Sequence, residues 1–403
     1  MGKKPSFMKA ILQDNEEQRK QITKSLDGER FGYMGDPSLD WSCGGYMRGG
    51  MNLFYGPSKS GKSTLALIYA GQEYKKKEGV IVYIDTENAL DDPYECDENG
   101  ELSAGALKTR KRIEIAGIPL DYFLLIKSNR ASQIFSPLAK MEPDLKKDPK
   151  CVAALIVDSW EGIQSTQTSA KVDSGKADEA GNSFGGNAKT INPIIKRLVE
   201  MNVSYGLTVF GVTHVRANMD QYGPRWILPG GQTFVHLHNM IMLIEASETK
   251  NNSLLFGDVE GNSKSDTALK VGKLVRFKCD KSRRNVEGRT GEFFMNFHEM
   301  KFAKPEESLF NLAVRLGIVV HPINPDTGKE NKLWWQYPAV AESPIKWQGV
   351  KGATTALSDS KELYDELWKQ CQESGNTRGT DVDLGDTSYV TDAGKLAKVG
   401  SDD

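Results

Sequence analysis

The stretch MNLFYGPSKSGKSTLALIYAGQEY, Met51 to Tyr74, decides the fold of this chain. Its short apolar start, MNLFY, predicts a buried strand, and TLALIYAGQEY predicts a helix. Between them GPSKSGKS, Gly56 to Ser63, fits the pattern G-x-x-x-x-G-K-[ST]. A strand, a glycine-rich turn and a helix in this order predict a loop that holds phosphate with backbone N–H groups and the helix N-terminus.

Lys62 and Ser63 carry the chemistry expected of this loop. The Lys62 ammonium would contact the β- and γ-phosphates of ATP, and the Ser63 hydroxyl would ligate Mg²⁺. The sequence therefore predicts a bound nucleotide, while the residues beyond the neighbouring strands decide the reaction. The predicted nucleotide-binding residues of the loop are Gly56, Pro57, Ser58, Lys59, Ser60, Gly61, Lys62, Ser63 and Thr64.

Apolar runs alternate with helix-length segments between about residues 48 and 300. The runs MNLFYG, GVIVYIDTE, YFLLIKS, VAALIVDS and LTVFGVTH are short and continuous, as expected for parallel strands buried on both faces. The runs MIMLIEA, KLVRFKCDK and EFFMNF are closer together and more alternating, which predicts an antiparallel extension of the same sheet. The predicted fold class is α/β, with a mainly parallel central sheet flanked by helices.

Carboxylates stand at the ends of two predicted strands. Asp158 ends AALIVDS, where it is placed to hold Mg²⁺ through water; a helix cap is the plainer alternative. Glu87 follows VIVYIDT, and a carboxylate there can orient and deprotonate an attacking water, which favours hydrolysis. Asp85 faces the same side of the strand and competes for this role. Tyr94 would stack on the adenine or be a partly exposed loop aromatic, and both readings stay open.

The segment VFGVTHVRANMDQYGPRWILPGG, Val209 to Gly231, changes from an apolar strand to a polar loop at Thr213 and His214. Ligands of such sheets bind beyond the carboxyl ends of the strands, so we expect His214 to point towards the γ-phosphate. ATP would order the loop through this histidine, and ADP would release it. Cations interspersed with apolar groups suit a single-stranded nucleic acid, and the loop carries Arg216, Met219, Tyr222, Arg225 and Trp226.

Composition limits the remaining possibilities. With 403 residues, 38% hydrophobic and 26% charged, the chain is an ordinary globular sequence, and its net charge of -2 excludes a uniformly basic nucleic-acid binder. The five cysteines lack metal-ligand spacing, which predicts a reducing cytoplasm and no zinc site. We expect no membrane contact, since no apolar run is long enough to span a bilayer and the charged start lacks a signal-peptide core.

The order of these motifs resembles the RecA recombinase family, most closely its phage branch of UvsX-like recombination proteins. The phosphate loop is followed by YIDTENALDDPY, LIVDS, a first polar segment at about 164–190, VTHVR with a second loop at about 215–233, and KCDKSRR. The resemblance covers about residues 30–320 and implies an ATP- and Mg²⁺-dependent protein that polymerises on single-stranded DNA and pairs it with a homologous duplex.

The resemblance also implies roles for single residues. Glu87 would activate water, Asp158 would serve Mg²⁺, and His214 would sense the γ-phosphate. Lys281 and Arg283 match a K-x-[KR] pair that reaches the neighbouring subunit's ATP across a filament interface. Asp91 and Tyr94 would lie at the adenine, and the DNA-binding residues would be Phe184, Lys189, Lys196, Arg216, Met219, Gly230 and Gly231, to which the residue pattern adds Arg225.

The expected domains are an N-terminal polymerisation arm at 1–30, an ATPase core at 31–304, a small α+β unit at 305–372 and a disordered acidic tail at 373–403. The small unit should contain helices near 307–316 and 359–371. The expected partners are single-stranded DNA, homologous duplex DNA and further copies of the chain in a helical filament. A single-strand-binding protein and a recombination mediator are further partners that the resemblance suggests.

Rival readings use the same core. A hexameric replicative helicase would normally carry a large N-terminal collar domain, whereas a short arm precedes this phosphate loop. An ATP-driven assembly switch that does not bind DNA would not need cations and apolar wedges in both loops. A phosphate-loop kinase would need a lid rich in arginine, which the sequence does not contain.

Overall fold

The computed structural model describes residues 16, 17, 20, 29–165, 186–217, 226–228, 231–247, 253–255, 270–284, 286–338 and 344–374. The strands are β1 (Phe31–Gly32), β2 (Tyr46–Met47), β3 (Met51–Gly56), β4 (Val80–Asp85), β5 (Phe123–Lys127), β6 (Val152–Asp158), β7 (Thr208–His214), β8 (Arg216–Ala217), β9 (Trp226–Ile227), β10 (Met240–Ala246), β11 (Ser253–Leu255), β12 (Lys270–Lys281), β13 (Thr290–Asn296), β14 (Lys301–Ala303), β15 (Trp334–Tyr337) and β16 (Ile345–Gln348). The helices are α1 (Pro37–Cys43), α2 (Lys62–Lys77), α3 (Ala104–Ile115), α4 (Ala131–Lys147), α5 (Gly186–Tyr205), α6 (Gly231–Leu237), α7 (Pro305–Arg315), α8 (Gly349–Asp359) and α9 (Lys361–Ser374). Among these helices none combines the length and apolar character needed to cross a membrane.

The chain forms two compact units. The first comprises Met1–Gly32 and Tyr46–Ala246, and the second comprises Tyr33–Gly45 and Ser247–Asp403. In the first unit six strands form a parallel sheet in the order β10-β3-β7-β6-β4-β5. The predicted α/β class with a mainly parallel sheet is confirmed.

The direction of β10 corrects one expectation. The run MIMLIEA was expected to be antiparallel, but Met240 pairs with Asn52 and Leu243 with Tyr55 in parallel register. The chain reaches β10 through helix α6, which serves as the crossover that a parallel strand needs. The run MIMLIEA is continuous and apolar at its start, as is typical of a strand buried in a parallel sheet. The polar residues at and after its end made the pattern resemble the polar–apolar alternation of an antiparallel strand.

Helices cover both faces of the parallel sheet, because successive side chains of a strand point to opposite faces. Leu53 and Tyr55 belong to a core that α4, α5 and α6 complete. On the other face the ring of Phe54 stacks with that of Phe210, with ring centres 6.3 Å apart, and packs against the ring of Tyr69 of α2, with ring centres 5.7 Å apart. The phosphate loop therefore leaves a strand held between two apolar layers, so its starting point is fixed.

A buried ion pair secures the base of α2. The fully buried Glu73 carboxylate accepts hydrogen bonds from Arg48 Nε at 2.8 Å, Tyr46 Oη at 2.9 Å and Thr208 Oγ1 at 3.0 Å. Arg48 also contacts Glu29 at 2.6 Å. A buried charge with this many donors is well compensated, and the loss of one partner would leave it exposed to a large desolvation cost.

The second unit contains the antiparallel strands β12, β13 and β14, with β11 beside β12. Its small core, built around Leu309, Phe310, Tyr337 and Trp347, joins α7, α8 and α9 to the hairpin β15–β16. The helices expected near 307–316 and 359–371 correspond to α7 and α9, whereas α8 was not predicted. Its sequence GVKGATTALSD begins with a glycine and contains another, which weakens a helix signal.

Two regions expected from the sequence lie almost wholly outside the described residues. Of the predicted arm at 1–30, only residues 16, 17, 20, 29 and 30 are described, and Glu16 pairs with Lys20 at 2.8 Å one helical turn away. The predicted acidic tail from 375 onwards is not among the described residues.

Candidate nucleotide site

The loop Gly56–Ser63 joins the end of β3 to the start of α2, as the sequence predicts. A Cβ atom on Gly56 would lie 2.0 Å from the carbonyl oxygen of Ile244 in β10, so only glycine fits there. Lys62 is the first residue of α2, and the N–H of Leu65 donates to the Gly61 carbonyl at 2.9 Å. The loop thus opens directly onto a helix N-terminus, which favours anions.

The Lys62 ammonium is held inside the loop. Its Nζ lies 2.9 Å from the carbonyl oxygen of Gly56 and 2.7 Å from that of Pro57. Burial lowers the pKa of Lys62 to about 8, against the opposing charges of Asp158 and Glu161. A cation that is preorganised and poorly solvated interacts strongly with phosphate, since little water has to be removed from it.

Asp158 and Ser63 are brought together, as expected for a magnesium site. The Ser63 hydroxyl donates to the Asp158 carboxylate, and Tyr83 Oη lies 2.5 Å from Asp158 Oδ2. Burial raises the pKa of Asp158, while both hydroxyl donors oppose that shift. A hydroxyl and a carboxylate are hard oxygen ligands, so this pair fits Mg²⁺.

Glu87 lies at the carboxyl edge of the sheet, just beyond β4. The Ser159 hydroxyl donates to its Oε1, and Nε2 of His214 lies 3.3 Å from the same oxygen. The hydrogen bond from His214 is the main cause that holds the pKa of Glu87 below its ordinary value, against partial burial. Glu87 is therefore ionised near neutral pH, as a general base must be.

Asp85 was the alternative to Glu87 as the group that activates water, but its contacts give it a structural role. Its buried carboxylate accepts backbone hydrogen bonds from Glu87 at 3.1 Å, Ala89 at 3.1 Å and Leu90 at 2.8 Å. These bonds occupy both oxygens and shape the turn after β4. Asp85 thus positions Glu87, and the geometry favours Glu87 as the group that faces solvent.

His214, the last residue of β7, connects the phosphate loop to Glu87. Its Nδ1 lies 3.3 Å from the Ser58 hydroxyl, while its Nε2 faces Glu87. The contact with Glu87 raises the pKa of His214, with burial and Lys62 acting in the opposite direction. The histidine thus lies where a charge placed in the phosphate loop would be felt.

Glu161 was missed by the sequence reasoning. It lies on the short 3₁₀ helix Trp160–Gly162 after β6, and its carboxylate accepts hydrogen bonds from the Thr213 hydroxyl and the His214 backbone N–H. Ligand atoms of Glu87, Glu161 and His214 all lie within 4.8 Å of one another. The signal was present, because Glu161 is a charged residue just beyond the carboxyl end of a predicted parallel strand.

The structure places Tyr94 on the surface, with half of its side chain exposed. Its hydroxyl donates to the Leu120 carbonyl at 3.3 Å, and the guanidinium of Arg110 lies 5.4 Å from its ring centre. Asp91 packs against Gly105 in the first turn of α3, since a Cβ there would lie 2.5 Å from its carboxylate. Arg110, which lies on α3, is a second residue that the sequence reasoning did not single out.

Four of the eight predicted DNA-binding residues are among the described residues. Phe184, Met219, Arg225 and Gly230 lie outside the described residues. Lys189 falls in the first turn of α5, and Lys196 is exposed on the same helix. Arg216 lies on β8, which pairs with β9 directly after His214, and Gly231 begins α6 with a φ of +74°. The described part of the predicted second loop, 215–233, therefore contains the paired strands β8 and β9, and it ends inside α6.

Lys281 and Arg283 lie in the second unit, at and beyond the end of β12. Lys281 is half-buried and Arg283 is exposed, whereas Ser282 and Arg284 between and after them are buried. Burial lowers the pKa of Lys281, and the nearby positive charge of Arg283 adds to this effect. The two cations are thus near enough for their charges to act on each other.

The fold and the site define a phosphate-loop nucleotide-binding protein of the α/β class. A family profile described as "RecA N-terminal domain" matches residues 15–101. The chain is 24% identical over 326 residues to "Protein RecA" of Lactococcus lactis subsp. cremoris (strain MG1363), covering 81% of this chain and 70% of that protein. It is 24% identical over 389 residues to "Protein RecA" of Streptococcus pneumoniae (strain Hungary19A-6), covering 95% and 84%. The chain is thus similar to RecA proteins over most of its length.

Proposed function

We propose that this chain is a DNA-dependent ATPase that forms filaments on single-stranded DNA and catalyses homologous pairing and strand exchange. The observation that carries the proposal is the bridge that His214 makes between Ser58 of the phosphate loop and Glu87. It links a nucleotide-binding element, a candidate general base and the start of a candidate DNA-binding loop through one side chain. The similarity to RecA proteins at 24% identity supports the same activity.

Different residues of the first unit would have different roles in ATP hydrolysis. The loop Gly56–Ser63 would hold the phosphates, with Lys62 neutralising the β- and γ-phosphates. Bound Mg²⁺, held by Ser63 and through water by Asp158, would neutralise charge on the phosphate oxygens. Glu87 would orient the attacking water and take its proton, for which it is already ionised at neutral pH.

His214 would report the nucleotide state to the DNA. A γ-phosphate next to Ser58 places a negative charge within reach of the imidazole, and β8 begins only two residues after His214. Changes at the imidazole would therefore reach the loop that contains Arg216, Met219, Arg225, Gly230 and Gly231. Phe184, Lys189 and Lys196 of the first segment would share the contact with single-stranded DNA, with cations on phosphates and apolar groups between bases.

A neighbouring copy of the chain would complete the site. Lys281 and Arg283 would reach the ATP of the next subunit in a helical filament, in the way that an arginine finger completes a GTPase. The arm at 1–30 would join subunits, the region 31–304 would form the ATPase core, and the acidic tail at 373–403 would compete with DNA for basic surfaces. The small unit at 305–372 would gather DNA. A single-strand-binding protein and a recombination mediator would help to load the filament, and the chain would resemble the phage branch of RecA-type recombinases.

The experiment measures the rate of ATP hydrolysis with and without single-stranded DNA, at low salt and with Mg²⁺. We expect single-stranded DNA to raise the rate by about tenfold or more, since DNA aligns subunits and completes each site. Blunt duplex DNA at the same phosphate concentration serves as the control and should stimulate less. A rate that single-stranded DNA does not change would contradict the proposal and favour a switch that does not bind DNA.

A further inference from the structure

We propose that Glu161 is the positioning residue that ties the nucleotide sensor His214 to both candidate DNA-binding segments. The inference rests on the proposed function, which it extends by naming the part that transmits the nucleotide state. Among the described residues Glu161 forms no hydrogen bond to the phosphate loop, although its charge acts on Lys62; its hydrogen bonds go to Thr213 and His214 of β7. Its role differs from that of Glu87, which faces the reacting atoms.

The carboxylate of Glu161 connects the turn after β6 to the end of β7. One oxygen accepts from the buried Thr213 hydroxyl, and the other accepts from the backbone N–H of His214. The last backbone pair between β6 and β7 is Asp158 with Val212, and Thr213, which donates to Glu161, is the next residue of β7. Glu161 thus continues the connection between β6 and β7 with a side chain where backbone pairing stops.

The short helix that bears Glu161 is itself tightly held. A Cβ on Gly162 would lie 2.2 Å from Thr86 Oγ1, and a Cβ on Gly211 would lie 2.2 Å from Trp160 Nε1. Trp160 is buried and meets Phe234 of α6 edge-on, with ring centres 5.9 Å apart. A turn packed this closely cannot move alone, so a shift of Glu161 requires a shift of its neighbours.

The same turn lies at three junctions of the chain. It leads into the segment 164–190, which the sequence identifies as the first candidate DNA-binding segment. Glu161 holds His214, which precedes the second segment at 215–233, and Trp160 packs on Phe234, which follows that segment. One turn therefore contacts the described residues on both flanks of the second segment and directly precedes the first, so a change at Glu161 can reach the ends of both.

The charge of Glu161 also acts on the imidazole. The charged groups that affect His214 are Glu87 and Glu161, which raise its pKa, and Lys62, which lowers it. A doubly protonated imidazole donates from both nitrogens, so it can hold Glu87 and a γ-phosphate at once. Removing the Glu161 charge should lower the pH at which this double donor is lost.

The test compares Glu161→Gln with Thr213→Val and with the control Glu142→Gln. Glu161→Gln keeps the shape but loses the charge and one acceptor, and Thr213→Val removes a single hydrogen bond to Glu161. Glu142 is a half-buried carboxylate that pairs with Arg197 on another part of the first unit. Each variant is measured for the KM of ATP, for the ratio of DNA-stimulated to basal hydrolysis from pH 6 to 9, and for the imidazole titration by NMR.

We expect Glu161→Gln to lower the stimulation ratio about fivefold to tenfold, with less than about a twofold change in the KM of ATP. Thr213→Val should fall between this variant and the wild type, and Glu142→Gln should match the wild type. The His214 titration and the alkaline limit of stimulation should both move to lower pH in Glu161→Gln. The DNA-stimulated rate and the basal rate both scale with the amount of folded protein, so their ratio would not change if the variant were only less stable.

An unchanged stimulation ratio and an unchanged His214 titration in Glu161→Gln would overturn the inference, as would an equal loss in Glu142→Gln. Failure of the proposed function gives a different result, because then single-stranded DNA does not stimulate the wild-type protein at all. In that case the imidazole titration, measured without DNA, still decides whether Glu161 acts on His214. A titration that moves to lower pH supports the contact, and one that stays in place contradicts it.

Discussion

Nε2 of His214 lies 3.3 Å from Oε1 of Glu87, which joins the end of one strand to the residue after another. The contact raises the pKa of His214 above 6.5 and lowers the pKa of Glu87 below 4.5. The stabilisation from the histidine is present at low pH and is lost as the pH rises through its raised pKa. The stabilisation from the glutamate is present at higher pH and is lost as the pH falls through its lowered pKa, so the pair is strongest between these limits.

Replacing Glu87 tests this pairing. In Glu87→Gln the pKa of His214 should fall towards its ordinary value, because the partner that raises it has lost its charge. The measurement is the pH titration of the imidazole Cε1–H signal by NMR, with assignment from His214→Ala. His321, which stacks on Trp335 in the second unit, is the internal control and should not shift. An unchanged His214 titration would show that the pair does not form in solution.

Lys62 should be indispensable for hydrolysis. We expect Lys62→Ala to reduce the ATPase rate by about a hundredfold to a thousandfold, since the buried ammonium is preorganised against the loop. The far-UV circular dichroism spectrum should stay as in the wild type. Lys75→Ala removes an exposed lysine at the other end of α2 and should keep the full rate. A Lys62→Ala protein that hydrolyses ATP at the wild-type rate would place the catalytic site elsewhere.

Much of this architecture could be predicted from the sequence, because short-range rules act on it directly. The phosphate loop needs a strand before it and a helix after it, and buried parallel strands need continuous apolar runs; both features are read from neighbouring residues. Glu87 and His214 could be placed at the sheet edge for the same reason. The contact between their side chains could not be predicted, since it depends on the order of strands in the sheet, which the linear pattern does not contain.

The roles of Glu161 and Arg110 and the presence of α8 could not be predicted from the sequence. The carboxylate of Glu161 is held by a backbone N–H more than fifty residues away in the chain, and the guanidinium of Arg110 is placed by its contact with the ring of Tyr94. The glycines in α8 weaken its local helix signal, and packing of Ala353 and Leu357 into the second core supplies the stabilisation instead. In each case tertiary contacts outweigh local preference.

Lys281 and Arg283 should act on a neighbouring subunit. The double variant Lys281→Ala/Arg283→Ala should bind ATP normally but lose DNA-stimulated hydrolysis, since its own phosphate loop is intact. Mixed with Lys62→Ala protein, it should recover activity at those interfaces where an intact loop meets intact cations, about one quarter of the interfaces in an equal mixture.

The matched control for this pair is Arg276→Ala/Lys278→Ala, which removes two exposed cations from the same strand, β12. This variant should keep full stimulation by single-stranded DNA. If the mixture of the two inactive variants stays inactive, or the control loses as much activity as Lys281→Ala/Arg283→Ala, the two cations do not serve a neighbouring site.

Asp36 should make the stability of the second unit depend on pH. Its buried side chain caps α1 by accepting from Ser38 and Leu39, and burial raises its pKa from 3.8 to about 7. A raised pKa favours the protonated form in the folded state, so the free energy of unfolding should decline between about pH 4 and pH 7 and then level off. Asp40, with a pKa of about 7 for the same reason, adds to this decline.

In Asp36→Asn the decline should be smaller by about 1–3 kcal/mol, because asparagine keeps the capping oxygen without a charge. Urea unfolding followed by tryptophan fluorescence at several pH values measures the difference. Equal slopes in the wild type and the variant would show that Asp36 remains ionised in the folded protein.

The central claim is that nucleotide, single-stranded DNA and a neighbouring subunit complete one another's sites, and electron microscopy tests it most directly. Wild-type protein with single-stranded DNA and a slowly hydrolysed ATP analogue should form continuous helical filaments, while ADP should give few or none. Lys281→Ala/Arg283→Ala protein should form filaments that no longer depend on which nucleotide is present. Closed rings, or no assembly with the ATP analogue, would contradict the account.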